Sequence, residues 1–397
     1  MDVKNTGQER WTLKYPELGT GPVSIETAIT QEQYDLERER IFKKMWLQAC
    51  REDLIPNAGD YIVKDIEICD ASIILIRDKE GAVRAFHNVC RHRCNKVLWD
   101  ESGNCRAMTC KFHGWAYKLD GSLADVPDED RFFDFKKEDH GLVPVAVDVW
   151  EGFVFINLDP SPKETLLEFL GELTDSLKGY PFDNLTKVFT YETEVNCNWK
   201  VVIDAFQEGY HVAYVHGKSL PDFSRDPALG HPQDVKLYER HTSFQQQSPE
   251  PGAHQTTPVE GLAFQYGVQI AGAISQVTTG DLEAQEKKSW GFMANRLFPN
   301  FFLDVLDGMY FTHEMLPLSP GKTLFRHKMY FPEAKSLSEH FSQEASKCVL
   351  RDAVLEDMST LEHTQKGMEA GKLKAFILQD DEVVVRQFYK LVEDYTA

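Results

Sequence analysis

The sequence predicts an α+β fold, a β-rich block followed by a larger block that mixes helix and strand. Three observations predict it. Short apolar runs broken by turn signals fill Tyr61 to Asn157. Beyond Asp159-Pro160-Ser161-Pro162, which reads as a boundary, strand-like and helix-like patterns alternate. Ser336 to Glu369 then carries a sustained helical pattern.

The elements follow in order. Ile25 to Trp46 reads as helical, with Leu36, Ile41 and Trp46 among charged residues. Ser72 to Arg77 and Ala82 to Phe86, joined by Asp78-Lys-Glu-Gly81, read as a hairpin. Asp120-Gly121 marks a turn, and Val149-Trp150 with Phe153 to Asn157 closes the β-rich block. Leu166 to Leu177 is helical in pattern and Phe189 to Val195 alternates like a strand. Asn198 to Val215 reads as one long helix. Gly217 to Gly261 holds six of the chain's 18 prolines and reads as a long loop. Trp290 to Tyr330 returns to strand, and Asp381 to Tyr395 is a last helix.

Composition limits the function. At 397 residues, 42% hydrophobic and 12% aromatic, the chain can bury a sizeable core. With 43 Lys+Arg against 63 Asp+Glu, its net charge of −20 disfavours nucleic acid and anionic lipid. Met1 to Arg10 lacks the pattern of a signal peptide. No apolar run is long enough to span a membrane; the best, Leu262 to Ile274, contains Gln265 and Gln269. A cytoplasmic location without membrane partners is the expectation.

The eight cysteines do not suggest a disulfide framework in a chain this long. Cys50, Cys69, Cys197 and Cys348 are scattered, as small buried hydrophobes would be. Cys90, Cys94, Cys105 and Cys110 cluster. Within that cluster, Cys90-Arg-His92 is followed after seventeen residues by Cys110-Lys-Phe-His113. Two thiolates and two imidazoles suit zinc or a Rieske [2Fe–2S] centre, where two His replace two Cys on one iron. A four-cysteine zinc site and unligated core cysteines are the alternatives. A structural zinc finger more often groups its cysteines apart from its histidines.

A second constellation lies downstream. Asp204, Glu208 and His211 share the predicted helix, and His216 follows at its end. Two His with one carboxylate and open positions suit non-heme Fe(II) that activates oxygen. Glu208 and His211 share a helix face. On an ideal helix His211 and His216 would stand about 140° apart, so the helix is expected to end or distort between them, a π-type turn being one way. Ordinary structural histidines are the alternative. His87, His140, His231, His241, His254, His313, His327, His340 and His363 lack any paired-ligand context and are read as structural or exposed.

Together the two constellations resemble the Rieske-type non-heme iron oxygenases, α (oxygenase) subunit, such as the aromatic ring-hydroxylating dioxygenases. The resemblance rests on Cys90-Arg-His-Arg93, Cys110-Lys-Phe-His-Gly-Trp115, Asn198-Trp-Lys200 and Asp204-Ala-Phe-Gln-Glu-Gly-Tyr-His211 with His216. It covers the chain from about Ile25 to the C-terminus. It implies a helical segment at 1–44 that packs on the catalytic domain, a Rieske domain at 45–159 and a catalytic domain at 160–397. The Rieske domain would be inserted into the catalytic one, whose antiparallel sheet is covered by helices. Cys90, His92, Cys110 and His113 would hold the [2Fe–2S] cluster, and His211, His216 and Asp357 the mononuclear Fe(II). Asp357 is placed by Leu355-Glu-Asp-Met-Ser-Thr-Leu-Glu, with Asp380-Asp381 as runner-up. Glu208 would bridge the two centres, bonding His211 and, across a subunit interface, His113. Many of the ring-hydroxylating dioxygenases have Asp there; Glu occurs in enzymes resembling carnitine monooxygenase. The family usually has Gly where this chain has Cys94. Cys94 and Cys105 do not fit the offsets of the extra disulfide in respiratory Rieske proteins and read as free thiols.

No G-x-G-x-x-G loop, Walker A run or ferredoxin cysteine pattern occurs. NAD(P)H would therefore act through a separate reductase, with or without a ferredoxin. The oxygenase would be a homotrimer, or one joined by a β subunit. Phe206, Phe264, Val268, Phe292, Phe301, Phe302 and Phe311 are candidate pocket residues, each with core packing as its alternative. The resemblance implies O2-dependent hydroxylation, and the apolar tone of these residues favours an aromatic or other hydrophobic substrate. A quaternary ammonium compound, held by an aromatic cage, is the second reading. A Rieske electron-transfer protein and a zinc-stabilised binding module are the non-enzyme readings.

Overall fold

The computed structural model describes residues 10–247, 258–259, 261–263, 290–306 and 308–397. The chain forms two compact units: Arg38–Phe169, and a larger unit of Met1–Glu37 with Leu170–Ala397. The smaller unit thus interrupts the larger in sequence. Its limits differ from the positions 45 and 159 read from the sequence, for local reasons. The Trp46 indole donates to Glu164 O at 3.2 Å, which ties the segment after Pro162 to the smaller unit. Glu37, by contrast, is buried against Lys200 of the larger unit.

The smaller unit is built of short antiparallel sheets. A four-stranded sheet runs in the order Val83–His87, Ala71–Arg77, Asp60–Ile66, Ser102–Asn104. Its first hairpin is the expected one, closed where Asp78 Oδ1 accepts from the N–H groups of Glu80 (3.0 Å) and Ala82 (2.8 Å). A three-stranded sheet joins Met108–Thr109, Ala116–Tyr117 and Leu123–Asp125. Another joins Ala146–Trp150, Phe153–Asn157 and Leu47–Arg51. Ile74, Ile76, Val97, Met108, Trp115 and Tyr117 fill the core around which the cluster loops fold.

The larger unit carries a seven-stranded antiparallel sheet. From one edge its strands are β1 (Lys187–Val195), β7 (Lys322–Phe331), β6 (Met309–Ser319), β5 (Phe301–Leu306), β4 (Trp290–Leu297), β3 (Thr242–Gln247) and β2 (Gln233–Leu237). Helices α1 (Gln31–Glu37), α2 (Trp199–Asp204), α3 (Val212–Val215), α4 (Leu337–Glu369) and α5 (Val383–Thr396) belong to this unit. Ser336 caps α4, accepting from Glu339 N at 3.2 Å.

Four expectations are corrected. The helix expected from Ile25 to Trp46 shrinks to α1 and a π turn at Arg38–Phe42, because Thr30 Oγ1 accepts from Gln33 N and starts the helix there. Leu166 to Leu177 breaks at Gly171, which has φ +53°, into Leu166–Leu170 and Leu173–Ser176. The loop expected from Gly217 contains a helical turn (Pro221–Arg225) and strands β2 and β3; its residues 248–257 and 260 lie outside the described ones. The helix expected from Asn198 to Val215 ends at Asp204 and resumes only as α3. The cause is a backbone crossing at Gly209. A Cβ there would lie 2.2 Å from Gly230 O, and one on Gly230 would lie 2.4 Å from Gly209 O. Only two glycines allow the chains to touch there.

Candidate functional site

The two Cys/His loops of the smaller unit share one design. Cys94 N donates to Cys90 O at 3.0 Å, and Gly114 N donates to Cys110 O at 3.0 Å. The fifth residue of each loop takes a left-handed backbone, φ +59° at Cys94 and +76° at Gly114. That explains why Gly suits both positions; Cys94 adopts the conformation without it. Asn88 closes the first loop from beneath, accepting from Val97 N (2.9 Å) and Leu98 N (3.0 Å) and donating to Leu98 O (2.8 Å). All eight cysteines are unbridged, Cys94 and Cys105 included.

These loops bring together the four residues the motif singled out. Cys90 and Cys110 are buried, and the rings of His92 and His113 meet edge-on at 4.5 Å. His92 stacks on Trp115 at 5.1 Å. Burial, with Cys90 beside it, pushes the Cys110 thiol above its ordinary value. The buried Nδ1 of His92 has no hydrogen-bond partner. Two close thiols and two imidazole edges, one nitrogen orphaned, fit the donor set of a Rieske [2Fe–2S] cluster. Sequence reasoning missed Tyr117. Its oxygen accepts from Arg91 N at 3.0 Å and lies 3.3 Å from Cys90 Sγ, which it can serve as donor.

In the larger unit, α2 is anchored before it reaches the site. Asn198 caps it, accepting from Lys200 N at 3.0 Å. Trp199 Nε1 donates to Glu37 at 2.8 Å, and Lys200 Nζ donates to Glu37 at 2.5 Å, with neither charged side chain exposed. Asp204 then leaves the site. It accepts from Tyr389 Oη (2.9 Å) and Gln207 Nε2 (3.0 Å), and burial lifts its carboxyl to about 7. Gln207 Oε1 in turn accepts from buried Arg296 at 2.8 Å.

The loop from this anchor delivers His211 to the start of α3 and His216 to its end. Their ligand atoms and that of Asp357 on α4 lie within 4.8 Å of one another. Each ring turns Nδ1 toward a glutamate: His211 to Glu208, and His216 to Glu356 at 3.0 Å. Ser219 Oγ donates to the same Glu356 oxygen at 2.6 Å. Both Nε2 atoms therefore face Asp357 Oδ1, at 3.0 Å from His216 and 3.4 Å from His211. That oxygen is buried, yet makes no hydrogen bond of acceptable angle. Convergent lone pairs around an orphaned carboxylate oxygen fit a divalent cation, with the carboxylate–histidine support that metal sites use. Burial lowers the His211 pKa, but the Asp357 and Glu208 carboxylates beside it overcome that and hold the ring up to about 10. Burial raises Asp357, and the two histidines hold it below the usual carboxylate range.

The runner-up acids lie elsewhere. Asp380 accepts from Trp11 N at 2.9 Å and Asp381 pairs with His231. Of the candidate pocket residues, Phe264 and Val268 and the side chain of Phe292 are outside the described residues. Phe206, Phe302 and Phe311 gather around His313, at ring distances of 4.3, 6.2 and 5.2 Å. Phe301 neighbours Phe302 on its strand and so points to the other face. His313 and His327, read from the sequence as unpaired, face each other across β6 and β7. Their Nδ1 atoms lie 3.0 Å apart. The linear signal was their placement seven residues either side of Pro320.

Two donor sets, one of sulfur and nitrogen and one of nitrogen and carboxylate, on an inserted β unit and a sheet-and-helix unit, define a Rieske non-heme iron oxygenase. The chain belongs to the ring-hydroxylating oxygenase α subunits: the family Ring hydroxylating alpha subunit (catalytic domain) matches residues 182–397, and Rieske [2Fe-2S] domain matches 45–145. It is an oxidoreductase, the terminal component of such a system, and its family uses a [2Fe–2S] cluster and a mononuclear iron. It is 28% identical over 367 residues to the carnitine monooxygenase oxygenase subunit of Escherichia coli (strain K12), covering 91% of this chain and 86% of that one. It is 27% identical over 352 residues to the glycine betaine monooxygenase oxygenase subunit of Chromohalobacter salexigens, covering 85% and 77%. A quaternary ammonium Rieske monooxygenase solved with L-carnitine shares the fold, with TM-score 0.75 and 22% identity over 96% of this chain and 97% of that one. No described helix is long and apolar enough to cross a membrane.

Proposed function

We propose that this chain is the oxygenase component of a quaternary ammonium monooxygenase. It would use O2 and electrons from a separate NAD(P)H reductase, with or without a ferredoxin. The observation that carries this reading is a likeness to carnitine and glycine betaine monooxygenases that extends through both units. Glu208, where many aromatic dioxygenases have Asp, agrees with it. The aromatic substrate expected from the sequence becomes the second reading, supported by the phenylalanines around His313.

In this reading Cys90, His92, Cys110 and His113 hold the cluster, and His211, His216 and Asp357 hold the iron. When bound, the cluster supplies electrons and the iron activates O2. The chain's own residues prepare that chemistry. Glu208 and Glu356 accept hydrogen bonds from Nδ1–H of the two histidines, which favours the tautomer that leaves each Nε2 lone pair inward. Asp357 adds the charge that favours a cation there. Glu208 has the second role of accepting a bond from His113 of a neighbouring copy, which needs a head-to-tail trimer, with or without a β subunit.

Turnover with a reductase under labelled O2 tests the reading on carnitine, glycine betaine, choline and an aromatic hydrocarbon. One labelled oxygen atom in a product of a quaternary ammonium compound is expected. Two atoms in the hydrocarbon and none in the others would overturn it. Iron at about two rather than three per chain would favour the electron-transfer protein.

A further inference from the structure

The sheet of the larger unit buries a line of polar side chains that the metal site does not use. Asp304 on β5, His313 on β6 and His327 on β7 occupy the same face. Asp304 Oδ2 lies 3.7 Å from His313 Nε2, and the two Nδ1 atoms lie 3.0 Å apart. All three residues are buried, His327 completely. The far nitrogen of His327, Nε2, has no hydrogen-bond partner. A buried polar atom left so is costly and calls for a reason.

Its position supplies one. Lys347 on α4 lies over the rings of Phe189 and Phe331, at 5.0 and 5.9 Å. Farther along, Gln365 of the same helix accepts from Asn198 N (3.0 Å), beside Cys197, whose carbonyl accepts from Thr323 (2.7 Å). From Lys347 to Gln365 the helix advances about 27 Å at ~1.5 Å per residue. From Phe331 back to Thr323 the strand advances about 26 Å at ~3.3 Å per residue. Helix and strand therefore run abreast, and about 15 Å along them the helix reaches Asp357 as the strand reaches His327. Leu350 of α4 packs against the cluster of Met309, Phe311, Met329 and Phe331 on the same face. The tip of the His327 ring thus rises from the sheet at the level of the iron ligands. Phe206, on the loop that leads to Glu208 and His211, stacks on His313 at 4.3 Å and on Phe325 at 5.3 Å.

Burial pushes both imidazoles down, so the rings are neutral at ordinary pH, and pushes the Asp304 carboxyl up. The Nδ1···Nδ1 contact holds one proton. That proton belongs to one ring, so His327 Nε2 is a donor when His313 gives the proton and an acceptor when His327 does.

We infer that His327 Nε2 is the specificity-determining polar atom of the substrate pocket, hydrogen-bonded to a substrate oxygen: a hydroxyl in either tautomer, a carboxylate when Nε2 carries the proton. This deepens the quaternary ammonium reading and rests on it. Phe311, Phe325 and Tyr191 set their rings 5.5, 6.5 and 6.4 Å from that of His327, so a ligand without the oxygen leaves the nitrogen unpaired.

The test measures binding to the iron-loaded enzyme of choline (hydroxyl), glycine betaine (carboxylate) and tetramethylammonium (neither). Wild type is expected to prefer at least one oxygen-bearing ligand over tetramethylammonium by about 100-fold; which one identifies the oxygen. His327→Phe should cut that preference to about threefold or less, with iron content and the cluster spectrum unchanged. His327→Gln, which keeps an N–H near the same place, should retain part of it and serves if the phenylalanine variant does not fold. An unchanged preference in a folded variant overturns the His327 assignment alone. Wild type that binds none of the three overturns this inference, and if turnover under labelled O2 also yields no product from carnitine, the quaternary ammonium reading falls with it.

Discussion

The larger unit holds two pairs of neighbouring histidines, and they are tuned in opposite directions. His211 and His216 meet three carboxylates, Glu208, Glu356 and Asp357, and His211 is held up to about 10. His313 and His327 meet one carboxyl, Asp304, and a wall of phenylalanine. Burial drives His327 down to about 3 and His313 well below its ordinary value. Both pairs lie in the interior. What differs is the number of negative charges that accompany them, and that number decides whether a pair invites a cation or a neutral hydrogen bond.

Asn substitutions separate the pairs most sharply. Asp357→Asn should remove the mononuclear iron, taking the metal count from about three to about two per chain and abolishing turnover, with the cluster spectrum intact. Iron retained at three would break the assignment. The next effect is on stability against pH. His327 has a folded pKa of about 3 against an unfolded value of 6.5. Its contribution is therefore whole above pH 6.5 and lost as pH falls from there to about 3, on the order of 5 kcal/mol in all. His313 acts in the same sense. Denaturant titrations should show this slope in wild type and a shallower one in His327→Gln; equal slopes would mean His327 is charged in the fold.

Smaller effects divide the two glutamates. Glu356→Gln and Glu208→Gln should each weaken iron binding by about 10–100-fold, read by dialysis against a chelator. Only Glu208→Gln should also slow electron transfer from cluster to iron in stopped flow. Equal slowing in both would remove the bridging role from Glu208. The smallest change is expected at Asp304→Asn, within about 1 kcal/mol in thermal unfolding, because burial already favours the uncharged form of that carboxyl. A loss as severe as that of an ion-pair partner would show Asp304 to be ionised.

The legibility of these pairs in the sequence follows the same division. Cys90, His92, Cys110 and His113 sit in short loops, so spacing carried their geometry. His211, His216 and Glu208 also lie within one short stretch, and Asp357 was reached through a helical segment of known pattern. His313 and His327 became neighbours only through the register of a hairpin, which alternation alone does not reveal. The unbroken helix through His211 was misread because apolar spacing continues past Phe206. The contact that stops it, between Gly209 and Gly230, is made by backbone atoms from a distant part of the chain. Asn198-Trp-Lys200, quoted for its resemblance to an iron motif, turned out to anchor α2 on Glu37.

That anchor sets an order of assembly. Glu37 and Lys200 are 163 positions apart, and the entire smaller unit lies between them. During synthesis the larger unit cannot complete its core until Lys200 has left the ribosome, since an unpartnered Glu37 cannot be buried. By then every residue of Arg38–Phe169 has been made. A folded insert also brings its own ends to fixed positions, which spares the closing contact the search through a long flexible loop. The buried ion pair therefore works as a latch, shut late, on a chain whose middle is already formed.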